Sequence, residues 1–363
     1  MTTVNQIYSF IDKIAPFKLA EKSDNVGLLV GEKTSEVKKA LLSLDITNAV
    51  ANEAKSIGAE LLISHHPIIF NPLYVLNDKN PACFLLKNNI NAICAHTNLD
   101  MAKGGVNDIL AESLGLKDTG RLIETIYKIP YKQVVVFVPE GNAENVYSAM
   151  CNAGGGTQGN YSGCAFSCNG IGKFLPEENA KPFIGVVGEI EEVHEVRLEM
   201  LVKPSCLNAV ISALKASHPY EEPAYQVLDN NALTDEYGFG KICTLEKEMT
   251  PKELAGHIKA SLNCTVIRYV DGGNPIKTVA FCSGGGGSLI NDAIALGVDA
   301  YICGDIKHDQ FVTAKNSDFS IFDAGHFHTE TIVLPYLKKA LSAEFPNVVF
   351  EIAKGNCDPV TYM

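Results

Sequence analysis

Basic residues are in deficit in this chain of 363 residues: 30 Lys and Arg stand against 42 Asp and Glu, a net charge of −12. Proteins that hold a phosphate backbone normally show a basic face, so a nucleic-acid binder is not expected. No apolar run approaches the ~18–20 residues that span a bilayer. The N-terminus lacks the basic start, apolar core and small-residue cleavage site of a signal peptide. Instead Val4, Ile7, Tyr8, Ile11 and Ile14 recur at helical spacing and predict an amphipathic first helix. Eleven cysteines are present, but none forms a CxxC zinc-type pair. Cys94, Cys243, Cys282 and Cys303 sit inside apolar strand-like runs, where a thiol packs as a small hydrophobe. Cys164 and Cys168 are read as packing residues rather than ligands. A reducing, cytoplasmic compartment without membrane attachment is expected.

Metal-ligating side chains are concentrated at four places: SHHP (64–67), AHTNLD (95–100), GDIKH (304–308) and DAGHFHTE (323–330). Six of the nine histidines fall in these stretches. Imidazole and carboxylate together are the donors that divalent transition metals take. The stretches are far apart in sequence, so a metal site built from them requires the fold to bring them together.

The N-terminal part alternates short apolar strands with helices: strands at 40–44, 60–63 and 91–95, helices at 48–56 and about 106–114. This pattern predicts a βαβ-type sheet covered on both faces. It returns near the C-terminus with strands at 278–282, 300–303, one ending at 321–322, and 347–352. Asp45, His65, His66, His96, Asp305 and His326 all stand at carboxyl ends of expected strands, where open α/β sheets bind ligands. The middle third reads differently. Strands at 133–138, 195–202 and 225–228 with helices at 143–152 and 205–216 predict an inserted ferredoxin-like α+β domain. The expected division is 1–127 with 241–363 as a two-lobed, metal-binding α/β domain, and 128–240 as the insert.

His65 and His66 are adjacent, and the turn enforced by Pro67 lets both reach one cavity, each serving a different ion. Asp100 follows His96 in a turn and can bridge two cations. His96 is open to three roles, ligand, orienting partner or proton shuttle, with the last two preferred. His326 and Glu330 are spaced i, i+4, which stacks them on one helix face, in a stretch that Pro335 is expected to kink. His328 points elsewhere on that turn. Asp45 is a weaker candidate. Asp305 either belongs to the site or caps the helix after it, and His308 is either a surface residue or a substrate contact. The run SGGGGS (283–288) is either a tight turn or a phosphate cradle built from Gly284, Gly285, Gly286 and Gly287.

These motifs, with SDNVGLLVG (23–31), GNYSGCAFS (159–167) and SHPYEEPAYQV (217–227), resemble the NIF-three-like proteins, a family also named GTP cyclohydrolase 1 type 2. The resemblance spans the chain in order and corresponds to the long bacterial form. It implies a dinuclear centre with His65, His66, Asp100, His326 and Glu330 as ligands, Glu330 bridging. It further implies a toroidal homohexamer and an insert similar to PII and CutA domains. The two cations are expected to be zinc, manganese or iron. Three activities are compatible with such a chain. The first is hydrolysis of GTP, in which metal-activated water attacks guanine C8 and formate leaves, with His96 handling protons and the glycine loop holding the triphosphate. The second is hydrolysis of another phosphate-bearing substrate. The third is a non-enzymatic metal-binding, regulatory or interaction role.

Overall fold

The computed structural model describes residues 1–77 and 79–361. It divides into two compact units, Met1–Ile126 with Tyr237–Met363, and Tyr127–Glu236. Its strands are β1 (Gly27–Val30), β2 (Lys39–Ser43), β3 (Leu61–Ser64), β4 (Asn91–Cys94), β5 (Lys117–Pro139), β6 (Ala165–Phe174), β7 (Glu191–Val202), β8 (Tyr225–Met249), β9 (Arg268–Val270), β10 (Ile276–Phe281), β11 (Ala300–Cys303), β12 (Ser320–Asp323) and β13 (Val349–Ile352). The fold is mixed α/β. The long strands β5 and β8 have residues in both units.

The first unit holds two sheets. One has the order β1-β4-β3-β2-β13 and is parallel apart from β1, which runs antiparallel to β4. Its central strands are buried on both faces. Ala40, Leu42, Leu61, Ile63 and Ile93 enter one core with the helices Val4–Ile14 and Val333–Glu344. Leu41, Leu62 and Ala92 enter the other, with the helices Asn48–Ile57 and Pro81–Lys87. Continuous apolar runs are what a doubly covered parallel sheet requires. The second sheet has, within this unit, the order β5-β8-β10-β11-β12-β9. Strands β10 to β12 are parallel, and β8 and β9 flank them antiparallel. Its residues also alternate between two cores: Val279, Phe281, Ile302 and Phe322 on one side, Ala280, Cys282, Tyr301 and Ile321 on the other.

The unit Tyr127–Glu236 runs β5, helix Ala143–Asn152, β6, β7, helix Leu207–Ser217, β8, with strands ordered β6-β7-β5-β8. Val134, Val136 and Val138 of β5 and Leu198 and Met200 of β7 pack against Val146, Met150, Val210 and Leu214 of the two helices. Both helices therefore cover one face. Glu195, Arg197 and Glu199 of β7 point to the other by strand alternation.

Two local expectations change. Pro335 does not kink a helix: the short helix His326–Glu330 ends, and a new one begins at Val333 with Pro335 in its first turn, where a missing N–H costs no hydrogen bond. Asp305 does not cap the next helix, whose N-cap is Lys307.

Candidate metal centre

In the first unit the carboxyl ends of strands from both sheets converge. The backbone N–H groups of His65 and His66 donate to Ser43 and Leu44 carbonyls, which continues the β2–β3 pairing and sets His66 beside Asp45. His96 follows β4, Ser283 follows β10, Asp305 follows β11 and His326 follows β12. Asp305 has φ 55°, a left-handed conformation that Asp tolerates better than most residues.

Four imidazoles meet there, each fixed through Nδ1. His65 Nδ1 donates to the Ala95 carbonyl at 2.9 Å, and His66 Nδ1 to Asp45 Oδ1 at 2.9 Å. His96 Nδ1 donates to Asp24 Oδ1 at 2.9 Å, and His326 Nδ1 to Asp305 Oδ2 at 2.7 Å. Every partner is an acceptor, so in the neutral ring the proton is on Nδ1 and each Nε2 presents a lone pair. Those lone pairs face one another and two carboxylates. His66 Nε2 and His326 Nε2 are 3.2 Å apart, and they lie 3.0 and 3.1 Å from Glu330 Oε2. His65 Nε2 is 3.7 Å from both Glu330 Oε1 and Asp100 Oδ1. Among the described residues, His65 Nε2 and Glu330 Oε2 are buried without a hydrogen-bond partner. Acceptors aimed at acceptors repel unless positive charge sits among them. The donor set, its geometry and its outer carboxylates fit divalent cations.

The ligand atoms form three groups: His65, Asp100 and Glu330; His66, His326 and Glu330; and His65, His66 and His96. Glu330 belongs to the first two. All five residues implied as ligands thus meet, and His96 lies close enough to join them. His308 is exposed and belongs to none of these groups.

The electrostatics agree. Burial disfavours the charged ring of His66, but the Asp45 and Glu330 carboxylates outweigh it and push its pKa up to about 10. His326 is likewise pushed up to about 9, against burial, by Glu330 and Asp305. His65 is raised, against burial, by Asp100 and Glu330. Asp100 is raised by burial, whereas the three imidazoles hold Glu330 well below the carboxylate range despite its burial. Without a metal the site is a trap for protons.

Two cavities adjoin this cluster. One of about 260 Å³ is lined by His96, Asp100, His326, Glu330 and the glycine loop. The other, of about 550 Å³, is lined by His66, His326, Asp45, Asp305 and Arg268. The glycine loop is shaped mostly by packing. A Cβ on Gly284 would lie 2.1 Å from Glu330 Oε1, one on Gly286 2.7 Å from the Tyr301 hydroxyl, and one on Gly287 2.5 Å from Gln310 Oε1. The Ser283, Gly284 and Gly286 N–H groups are used internally, by Asn107, Thr329 and the Gly284 carbonyl. A Cβ on Gly285 would make only ordinary contacts, 3.8 Å from Asp305 Oδ2 and 4.0 Å from the His326 ring.

A sequence model described as Duf34/NIF3 (NGG1p interacting factor 3) matches residues 2–359. The chain belongs to the DUF34/NIF3 family. A relative named GTP cyclohydrolase 1 type 2 homolog from Bacillus subtilis (strain 168) is 41% identical over 331 residues, covering 89% of this chain and 87% of the relative. One of the same name from Halalkalibacterium halodurans is 37% identical, covering 99% and 98%. A crystal structure of a Bacillus cereus protein related to NIF3 has 37% identity and a TM-score of 0.87, covering 100% of this chain and 99% of that one. Several residues that shape the site in this DUF34/NIF3 member escape the histidine clusters. Asp24 holds His96 and also accepts from the Thr97 hydroxyl at 2.5 Å. Asn107 and Thr329 hold the loop before Gly285. Asp24 lies within the SDN segment quoted above, but a single carboxylate before a strand carries no chemistry that singles it out. No helix among the described residues is long and apolar enough to cross a membrane.

Proposed function

We propose that this chain is a dinuclear-metal hydrolase acting on GTP. What carries the reading is the inward-facing set of Nε2 lone pairs and carboxylates, which needs positive charge to be stable. His65, Asp100 and Glu330 would hold one divalent ion, and His66, His326 and Glu330 the other, with Glu330 shared. Two such ions would supply a water acidified towards neutral pH as nucleophile, the chemistry needed to open the guanine imidazole ring and release formate. The protein's own part is positional. Ala95, Asp45 and Asp305 lock the ligand tautomers. His96, held by Asp24 and lining the smaller cavity, is placed to take and return a proton through Nε2. No Lys or Arg lines that cavity among the described residues. Recognition of a triphosphate would therefore fall to backbone N–H groups around Gly285 and to the cations.

Protein loaded with zinc, manganese or iron should release formate from GTP, and Glu330→Gln should abolish both release and stoichiometric metal. Metal-loaded protein that yields no formate overturns the GTP assignment. Phosphate release from other esters would move it to the second class of hydrolase. The toroidal homohexamer, the cytoplasmic location and the ferredoxin-like insert are part of the same proposal. The βαββαβ order of Tyr127–Glu236 supports the last, and light scattering tests the first. A regulatory role has one observation in its favour: β6 is exposed along most of its length, with Phe166 63% and Ile171 59% exposed.

A further inference from the structure

A second concave site lies wholly within Tyr127–Glu236, on the sheet face opposite the two helices. It is a cavity of about 670 Å³ walled by Phe137, Phe174, Phe183 and Tyr220, within the size range of small-molecule sites. Tyr220 meets Phe174 edge-on at 5.7 Å and Phe183 at 6.5 Å. Gly172 leaves its floor bare, and the Glu195 carboxylate fills that space: a Cβ on Gly172 would lie 2.3 Å from Glu195 Oε2.

The charges in this lining do not cancel. Arg197 Nε donates to Glu199 Oε1 at 2.6 Å, and Lys173 pairs with Glu192. Both cations are therefore matched by carboxylates outside the lining. Glu195, Glu221 and Glu222 line the cavity and are matched by no Lys or Arg among the described residues. Glu195 accepts from the Tyr220 hydroxyl at 2.9 Å, and Glu221 accepts from the Lys181 backbone N–H at 3.1 Å. Both of those donors are neutral. Burial and Glu195 raise the Tyr220 pKa, so its hydroxyl stays a donor. An anionic ligand would be repelled here, and a purely apolar one would leave Glu195 desolvated and uncompensated. Aromatic faces beside a carboxylate are the arrangement that attracts an organic cation.

We propose that this cavity binds an organic ammonium ion with an apolar body, its charge set against Glu195 and its body between Tyr220, Phe174 and Phe183. Residues 217–227, a motif the metal centre does not use, supply Tyr220, Glu221 and Glu222.

The test titrates the full chain with benzyltrimethylammonium by calorimetry, with benzyl alcohol as the neutral comparison. Millimolar or tighter binding of the cation is expected, at least about tenfold tighter than the alcohol. Glu195→Gln keeps an acceptor for Tyr220 but removes the charge, and should weaken the cation about tenfold while leaving the alcohol unchanged. Phe183→Ala, at a side chain that is 56% exposed, should also weaken it with circular dichroism and metal content unaltered. Equal affinity for cation and alcohol, or full cation affinity in Glu195→Gln, overturns the proposal. Absence of binding overturns it too. If Phe183→Ala then also reduces the assembly size, the cavity belongs to contacts between copies.

Discussion

Each imidazole at the centre is set by one outer contact, and these contacts predict separable effects. Asp45 and Asp305 touch no ligand atom other than the Nδ1 of their own histidine. Their removal frees the ring to rotate or change tautomer. Asp45→Ala or Asp305→Ala should weaken metal binding by about 10–100-fold, read by competition with a chromogenic chelator, while leaving the fold intact. An unchanged affinity would mean that His66 and His326 are held by packing alone. His96 makes a different prediction. Acting as acid–base rather than ligand, its replacement in His96→Gln should keep two metal equivalents but lower turnover about 10²–10⁴-fold. Loss of a metal equivalent would make it a ligand, as its proximity to His65 and His66 allows. The five implied ligands are legible in the sequence because histidine and carboxylate crowd into short motifs. Asp24, Asn107 and Thr329 are not, because single Asp, Asn and Thr residues at strand and helix ends are common and only the fold gives them partners.

At the scale of elements, the site depends on strands stopping in the right place and on a loop thin enough to pass the ligands. Gly284 has φ 60° and sits against Glu330. Gly284→Ala therefore meets two obstacles, a left-handed backbone costing roughly 1–2 kcal/mol and a methyl group in the carboxylate's place. It should displace Glu330, abolish metal uptake and lower the melting temperature. Gly285→Ala meets nothing nearer than Asp305 Oδ2 at 3.8 Å, an ordinary contact, and should keep the metal. If both variants keep it, the loop does not shape the ligand set. The short strands β2, β3, β4 and β11 are readable because burial on both faces makes them unbroken apolar runs. Strands β5 and β8 run far beyond the expected 133–138 and 225–228. Much of the β5 extension and the start of the β8 extension are exposed and carry no hydrophobic pattern, whereas Ile242, Cys243 and Leu245 near the end of β8 enter the cores. The helix Pro251–Ser261 is absent from the expected elements, although Thr250 and Glu253 form a capping box and Pro251 opens it.

At the scale of the whole molecule, protons and metal compete for one site, and folding is coupled to both. In the metal-free protein His66 and His326 have pKa values of about 10 and about 9, against about 6.5 for an unfolded histidine. A raised folded-state pKa stabilises fully below the unfolded value and loses that contribution as pH climbs through the folded value. The metal-free protein should therefore melt progressively lower from about pH 6.5 to about pH 10. Cations need the same Nε2 atoms deprotonated, so their affinity rises over that interval. Because a ligand of the folded state raises stability with its concentration over Kd, the increase in Tm on adding zinc or manganese should grow from pH 6.5 towards pH 9. Scanning calorimetry with and without metal across this range measures it, and Glu330→Gln should flatten both curves, since that carboxylate raises both histidine pKa values and belongs to both ligand groups. A metal-induced shift in Tm that stays constant with pH would show that the imidazoles are not the atoms exchanging protons for cations.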